Sequence, residues 1–103
     1  MSKKRFDVTA IIYDKRGNIL SIGKNSYVKT HPLQAFYAKS VGEEHKVYLH
    51  AEVHAIVRCS NIDLAHRIAI FRYNEAGLAV LAKPCKICQA AISRTRIQLV
   101  EHT

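Results

Sequence analysis

The chain has 103 residues, 49% of them hydrophobic and 23% charged, with a formal net charge of +8. That length allows one small domain, residues 1–103, with a modest core, and no apolar run approaches the ~20 residues of a membrane span. The start, Met1-Ser2-Lys3-Lys4-Arg5, is basic but leads straight into Phe6-Asp7-Val8 without a signal-peptide core, so a cytoplasmic protein with no membrane partner is expected.

Phe6 to Tyr13 is rich in β-branched and aromatic residues and reads as a strand. Asp14-Lys15-Arg16-Gly17-Asn18 supplies turn chemistry, and Ile19 to Gly23 forms the second strand of a hairpin. From Pro32 to Val41 the apolar residues Leu33, Phe36, Tyr37 and Val41 fall at helical spacing, with Pro32 in the first turn and Gly42 past the end. Ala51 to Cys59 follows as a helix, apolar on most sides and therefore buried. Ile68-Ala69-Ile70-Phe71 is a continuous apolar run, as expected of a central strand covered on both faces. Asn74-Glu75-Ala76-Gly77 turns the chain, Leu78 to Leu81 is extended, Lys86 to Ser93 is a helix, and Ile97 to Val100 is a last strand. The order β-β-α-α-β-α-β predicts an α/β fold, a three-layer-type sandwich with a mixed sheet and helices packed against it.

Two fragments carry chemistry: His50-Ala51-Glu52 and Pro84-Cys85-Lys86-Ile87-Cys88. Two cysteines three apart at a helix start project their sulfurs from one face, and the helix N-terminus favours the thiolate that a metal binds. With His50 they offer three soft ligands to one zinc ion, which leaves a tetrahedral metal an open position for a water. Glu52 is two residues from His50, a spacing that does not share a helix face. The two therefore divide the work: His50 on the metal, Glu52 moving protons as general acid and base. The competing reading is a closed zinc knuckle with a fourth ligand such as His54, or a pair of core cysteines. Cys59, on an apolar stretch, reads as a small buried hydrophobe.

At these residues the chain resembles the cytidine/deoxycytidylate deaminase superfamily, over most of its length. The resemblance implies Zn²⁺ held by His50, Cys85 and Cys88, with Glu52 as proton shuttle. It implies attack of an activated water on C4 of a cytosine ring, or C6 of an adenine, and loss of ammonia. Gly23-Lys24-Asn25 stands where the family has a Gly-x-Asn pattern, which makes Asn25 the candidate contact to the substrate's sugar; a turn-forming Asn is the alternative. The backbone N–H of Ala51 is similarly placed to meet the base, and the carbonyl of Lys83 to meet the leaving amine. Histidine at the zinc position is similar to the deoxycytidylate and tRNA-adenosine branches. The segment Thr30-His31-Pro32-Leu33-Gln34 and the small size resemble short deaminases of bacteriophage type.

Relatives usually carry a helix before the first strand and a further helix, often with a fifth strand, after the last one here; this chain reads as a minimal version. Substrate-closing aromatics of such a tail would be replaced by Tyr27, Phe36, Tyr37 or Tyr48, for each of which packing is an equal alternative. Uncovered apolar sheet surface predicts a homo-oligomer. His54, one turn beyond His50, reads as a packed, hydrogen-bonded histidine or as a group behind the ligands. His45, His66 and His102 carry no informative spacing, and His31 is a candidate to approach a substrate phosphate.

Three functions follow. The first is a hydrolytic deaminase of a small cytosine nucleoside or nucleotide. The second keeps the chemistry and takes a base within RNA or single-stranded DNA, as the positive charge favours; the scattered lysines and arginines equally fit a solvated basic surface. The third is a non-catalytic zinc-stabilised interaction module, against which Glu52 argues.

Overall fold

A computed structural model describes residues 6–103; the basic start at residues 1–5 lies outside the described residues. The chain forms β1 (Asp7–Asp14), β2 (Ile19–Lys24), α1 (Pro32–Ser40), α2 (Ala51–Arg58), a short 3-10 turn (Ile62–Leu64), β3 (Ala65–Tyr73), β4 (Ala79–Val80), α3 (Lys86–Ser93) and β5 (Leu99–His102). The hairpin turn is fixed by Asp14, whose carboxylate accepts from the Arg16 and Asn18 backbone N–H groups at 2.9 Å each, while Gly17 takes φ +89°. Its carboxyl is held below the ordinary value by these bonds, that to the Asn18 side chain first.

The sheet runs β2-β1-β3, all antiparallel, and the outer edge of β3 is shared by β4 and β5. β5 lies parallel to β3, from Arg67 opposite Leu99 to Ile70 opposite His102. The sheet is thus mixed, as its order of elements predicts. The last strand is displaced by two residues from the expected Ile97–Val100. Thr95 and Ile97 are instead taken up in the turn after α3, where the Thr95 hydroxyl oxygen accepts from the Ile97 N–H.

Alternation along the strands sends Ala10, Ile12, Ile68 and Ile70 to one face, where they pack with Ala51, Ala55 and Ile92 of the helices. A second cluster, Tyr37, Ala38, Val53, Ile87, Cys88 and Ala91, joins α1 to α2 and α3. The layers are therefore sheet, then α2 with α3, then α1. The expectation that Ile68–Phe71 is covered on both faces is corrected: Ile68 and Ile70 face the helices, whereas Phe71 points the other way and is only half-buried. α1 turns most of its expected face inward: Tyr37 is buried and Leu33 and Val41 pack against the same cluster, and only Phe36 of that set points outward. Gln34, Tyr37 and Ala38 are buried and Phe36 is 56% exposed, because the small Ala38 lets α1 approach its neighbours closely. α2 buries Ala51, Glu52, Val53 and Ala55, while Val57 is exposed, so it is amphipathic rather than apolar all round.

One close approach sets the site. A Cβ on Gly23 would lie 2.3 Å from the Ala55 nitrogen and 2.4 Å from the Ala51 carbonyl oxygen, so only glycine lets β2 lie this near α2. Ser21 donates to Ala55 O at 2.7 Å beside it.

Candidate metal centre and active site

His50 and Cys85 are the N-cap residues of α2 and α3, and neither side chain caps its helix. Both are thereby left to point at a common centre. His50 Nδ1 lies 3.3 Å from Cys88 Sγ and 3.4 Å from Cys85 Sγ, and the three donor atoms fall within 4.8 Å of one another. A tetrahedral zinc with ordinary bond lengths sets imidazole nitrogen and thiolate sulfur about 3.5 Å apart. The spacing and the donor chemistry both fit that ion. Among the described residues this is the only such cluster.

The Cys88 thiol hydrogen-bonds Cys85 and, with His50, holds the Cys85 thiol down to about 3 despite burial. The same contact, with burial, pushes the Cys88 thiol far up. His50 is raised by its hydrogen bond to Cys85, against the effect of burial. A dication at this centre would take the nitrogen and both sulfurs in their deprotonated forms.

Glu52 occupies the first turn of α2 and is 6% exposed. Burial raises its carboxyl above the ordinary value, offset by contacts with its own backbone N–H and with Cys88. A carboxyl moved toward neutrality in a cavity is suited to accept and return a proton. That cavity, of about 580 Å³, is lined by both His50 and Glu52, and also by Asn25, Ala51, Lys83 and Cys85. All seven residues expected at the site are thus gathered, with Cys88 buried immediately behind the lining.

Asn25 borders the cavity with both ends of its side chain engaged: Oδ1 accepts from Val8 N at 3.0 Å and Nδ2 donates to Phe6 O at 3.1 Å. It closes the β1–β2 ladder beyond its last regular pair. Tyr27 and Tyr48 line the cavity, whereas Phe36 and Tyr37 do not; they stack edge-on in the α1 layer, 5.2 Å apart. His54 Nδ1 lies 3.0 Å from Lys24 N and 3.1 Å from Lys24 O, tying α2 to the end of β2. It is a hydrogen-bonded packing histidine rather than a fourth ligand. His31 caps α1 by accepting from Leu33 N and is absent from the lining, while His45 is on it. Cys59 is a buried free thiol away from the cluster.

Gln34 braces the site without carrying any ligand or catalytic signature in the sequence. It is fully buried, its Oε1 accepts from His50 N at 3.2 Å, and its Nε2 donates to Lys46 O at 3.4 Å. The amide thus holds the backbone at His50 from behind. One signal was available: Gln34 is the polar member of the helical set Gln34, Tyr37, Ala38 and Val41. Arg72 likewise carries no ligand or catalytic signature; it ends the row Ile68–Ile70–Arg72 and lines the cavity.

Comparison with known proteins agrees with this geometry. The family model described as the cytidine and deoxycytidylate deaminase zinc-binding region matches residues 1–102. Among solved structures, a glutamate-to-glutamine variant of the cytidine deaminase from Mycobacterium tuberculosis is similar in fold. The TM-score is 0.51 at 22% identity, covering 95% of this chain and 68% of that one. No curated protein matches the sequence.

Proposed function

The chain belongs to the cytidine and deoxycytidylate deaminase zinc-binding family, a family of hydrolytic zinc enzymes, and from that premise we propose that it deaminates a small cytosine nucleoside or nucleotide. The observation that carries this reading is the pairing of one His–Cys–Cys cluster with a buried Glu52 on the same cavity wall. His50, Cys85 and Cys88 hold the zinc in this reading. When bound, the ion supplies a Lewis acid that makes water nucleophilic at neutral pH.

The protein groups do the rest. Glu52, shielded from bulk water, takes one proton of the attacking water and delivers it to the ring nitrogen, then carries the second, from the new hydroxyl on the ring carbon, to the amine, which leaves as ammonia. The Ala51 N–H, at the start of α2, meets the base. The Lys83 carbonyl orients the departing amine, and Asn25 defines where the sugar lies. Phe6, Val8 and Ile70 give the cavity apolar walls for a planar ring. Residues 1–103 act as one deaminase domain in this reading. A cytoplasmic setting would keep Cys85 and Cys88 reduced. No helix among the described residues is long and apolar enough to cross a membrane. Exposed Leu78, Leu81, Leu99 and Val100 support a homo-oligomer.

The test is ammonia release from cytidine, deoxycytidine and their monophosphates by zinc-loaded protein, native against Glu52→Gln. General acid–base catalysis contributes roughly 10²–10⁴-fold, so the variant should fall by at least about a hundredfold. Equal rates would remove Glu52 from the mechanism. A second reading, a base presented in RNA or single-stranded DNA, is favoured by the net charge of +8. It requires strand affinity that falls steeply with added salt.

A further inference from the structure

The cavity has a charge pattern that zinc chemistry does not need. Its lining includes three cations, Lys46, Arg72 and Lys83, and one carboxylate, Glu52. Lys46 is drawn off toward Glu43, 3.4 Å away, and Lys83 is exposed. Arg72 is different, because it is built in. It pairs with Val8 across β3 and β1, one step beyond Ala10–Ile70 and two beyond Ile12–Ile68, in a row that is otherwise apolar. A cation at the end of a core row is retained against the hydrophobic choice for that position.

The arginine is also held still. Its guanidinium carbon stands 4.0 Å from the Phe6 ring centroid, and Nη1 donates to Leu81 O at 3.2 Å. That bond uses one of five guanidinium donors. The rest of the planar fork, stacked and oriented, borders the cavity beside Lys83, two residues after Leu81. A fixed fork with a lysine near it suits the oxygens of a phosphate, which arginine binds in bidentate fashion.

We propose that Arg72, aided by Lys83, binds the phosphate of a nucleoside monophosphate whose base lies at the His50–Cys85–Cys88 end of the cavity. The identity of the base rests on the deaminase reading above; the phosphate site does not. A single phosphate is favoured over a strand by the neighbouring hollow. That hollow shares Phe6, Asn25 and Tyr27 with the cavity but is lined by Asp7 and Glu75. A phosphodiester chain continuing across this wall would meet the carboxylate of Asp7.

The experiment uses the deamination products, which are not turned over. Binding of uridine and of its 5′- and 3′-monophosphates to zinc-loaded protein is measured by calorimetry. A charge-assisted contact of this kind makes the better monophosphate roughly tenfold to a hundredfold tighter than uridine. Arg72→Gln should bring that ratio to within about threefold of one, and Arg72→Lys should keep part of it. Equal native affinities for uridine and its monophosphates would overturn the proposal. So would an Arg72→Gln protein that loses both ligands in step, since Arg72 would then only support the fold. If Arg72→Gln fails to fold, Lys83→Ala gives the reading: a lowered ratio supports the site, an unaltered ratio refutes it. A cytosine-containing oligonucleotide that binds more tightly than the monophosphates would assign the cations to a strand and overturn the single-phosphate assignment. If the monophosphate preference holds and Arg72→Gln removes it, yet no cytosine substrate releases ammonia, the phosphate site stands and the deaminase reading falls.

Discussion

Gly23→Ala is the smallest change that should disable the site without touching a metal ligand. The added methyl group would sit 2.3 Å from Ala55 N, 2.4 Å from Ala51 O and 2.8 Å from Ala55 Cα, against ordinary contacts that begin at 3.4 Å. Every obstructing atom is helix backbone, so no side chain can swing aside. Relief requires β2 and α2 to separate by about an ångström, and overpacking of this kind costs roughly 1–3 kcal/mol. Separation also stretches the Ser21–Ala55 and Lys24–His54 hydrogen bonds, each worth about 1 kcal/mol. The sum, about 3–5 kcal/mol if both bonds are lost, lowers the melting temperature of a domain this size by roughly 12–40 °C. α2 begins at Ala51, directly after His50, so the movement displaces His50 and Glu52 from the two cysteines on α3. An ångström of misplacement costs on the order of a hundredfold in rate. The assays are thermal unfolding with and without zinc, zinc affinity by competition with a chelator, and ammonia release. Gly17→Ala is the control: it strains a positive-φ turn but meets no atom within 4 Å and lies away from the site. It should cost about 1 kcal/mol and leave zinc affinity unaltered. A Gly23→Ala protein that melts within about 2 °C of the native one and binds zinc equally well would refute the reasoning.

Gln34→Leu nearly keeps the volume but leaves the His50 N–H without its partner, at about 1–3 kcal/mol for a buried donor left unpaired. Thermal unfolding should record the loss, and zinc affinity should fall with it; an unaltered melting temperature would count against the amide as a brace. Removal of zinc by a chelator should lower the melting temperature, and readdition should restore it, because the ion binds only the folded arrangement of ligands. For Asp14 the folded carboxyl lies below its ordinary value of 3.8. The stability its turn contributes is present above that value and is lost as pH falls through the depressed one. An NMR titration of the Asp14 carboxyl showing a midpoint at or above 3.8 would contradict the turn geometry.

Much of this arrangement was legible in the residues themselves. The hairpin, the starts of α1, α2 and α3, and the gathering of His50, Glu52, Cys85 and Cys88 follow from local chemistry: caps, turn residues and ligand types at fixed spacings. What escaped depends on partners distant in sequence. Of the expected face of α1 only Phe36 departs: it outweighs Ala38 in any hydrophobicity reading, whereas close packing against α2 and α3 rewards the smaller residue. Gln34 looked like an ordinary helix residue, since its value lies in a backbone N–H sixteen positions away. Arg72 reads as a strand-end charge until the residue before β1, Phe6, comes to lie beneath it. The two-residue displacement of β5 reflects the parallel register with β3, which nothing local to Ile97–Val100 specifies.

The placement of the metal ligands on either side of β3 has a consequence for the order in which the protein is made. His50 and the cysteines are separated by 35 and 38 residues, and β3 must emerge, pair with β1 and carry the chain across before they meet. No zinc can be captured in the final geometry until Cys88 has been synthesised and α3 has docked. Loading is thus a late event, a report that the long-range pairing of β1 with β3 has succeeded.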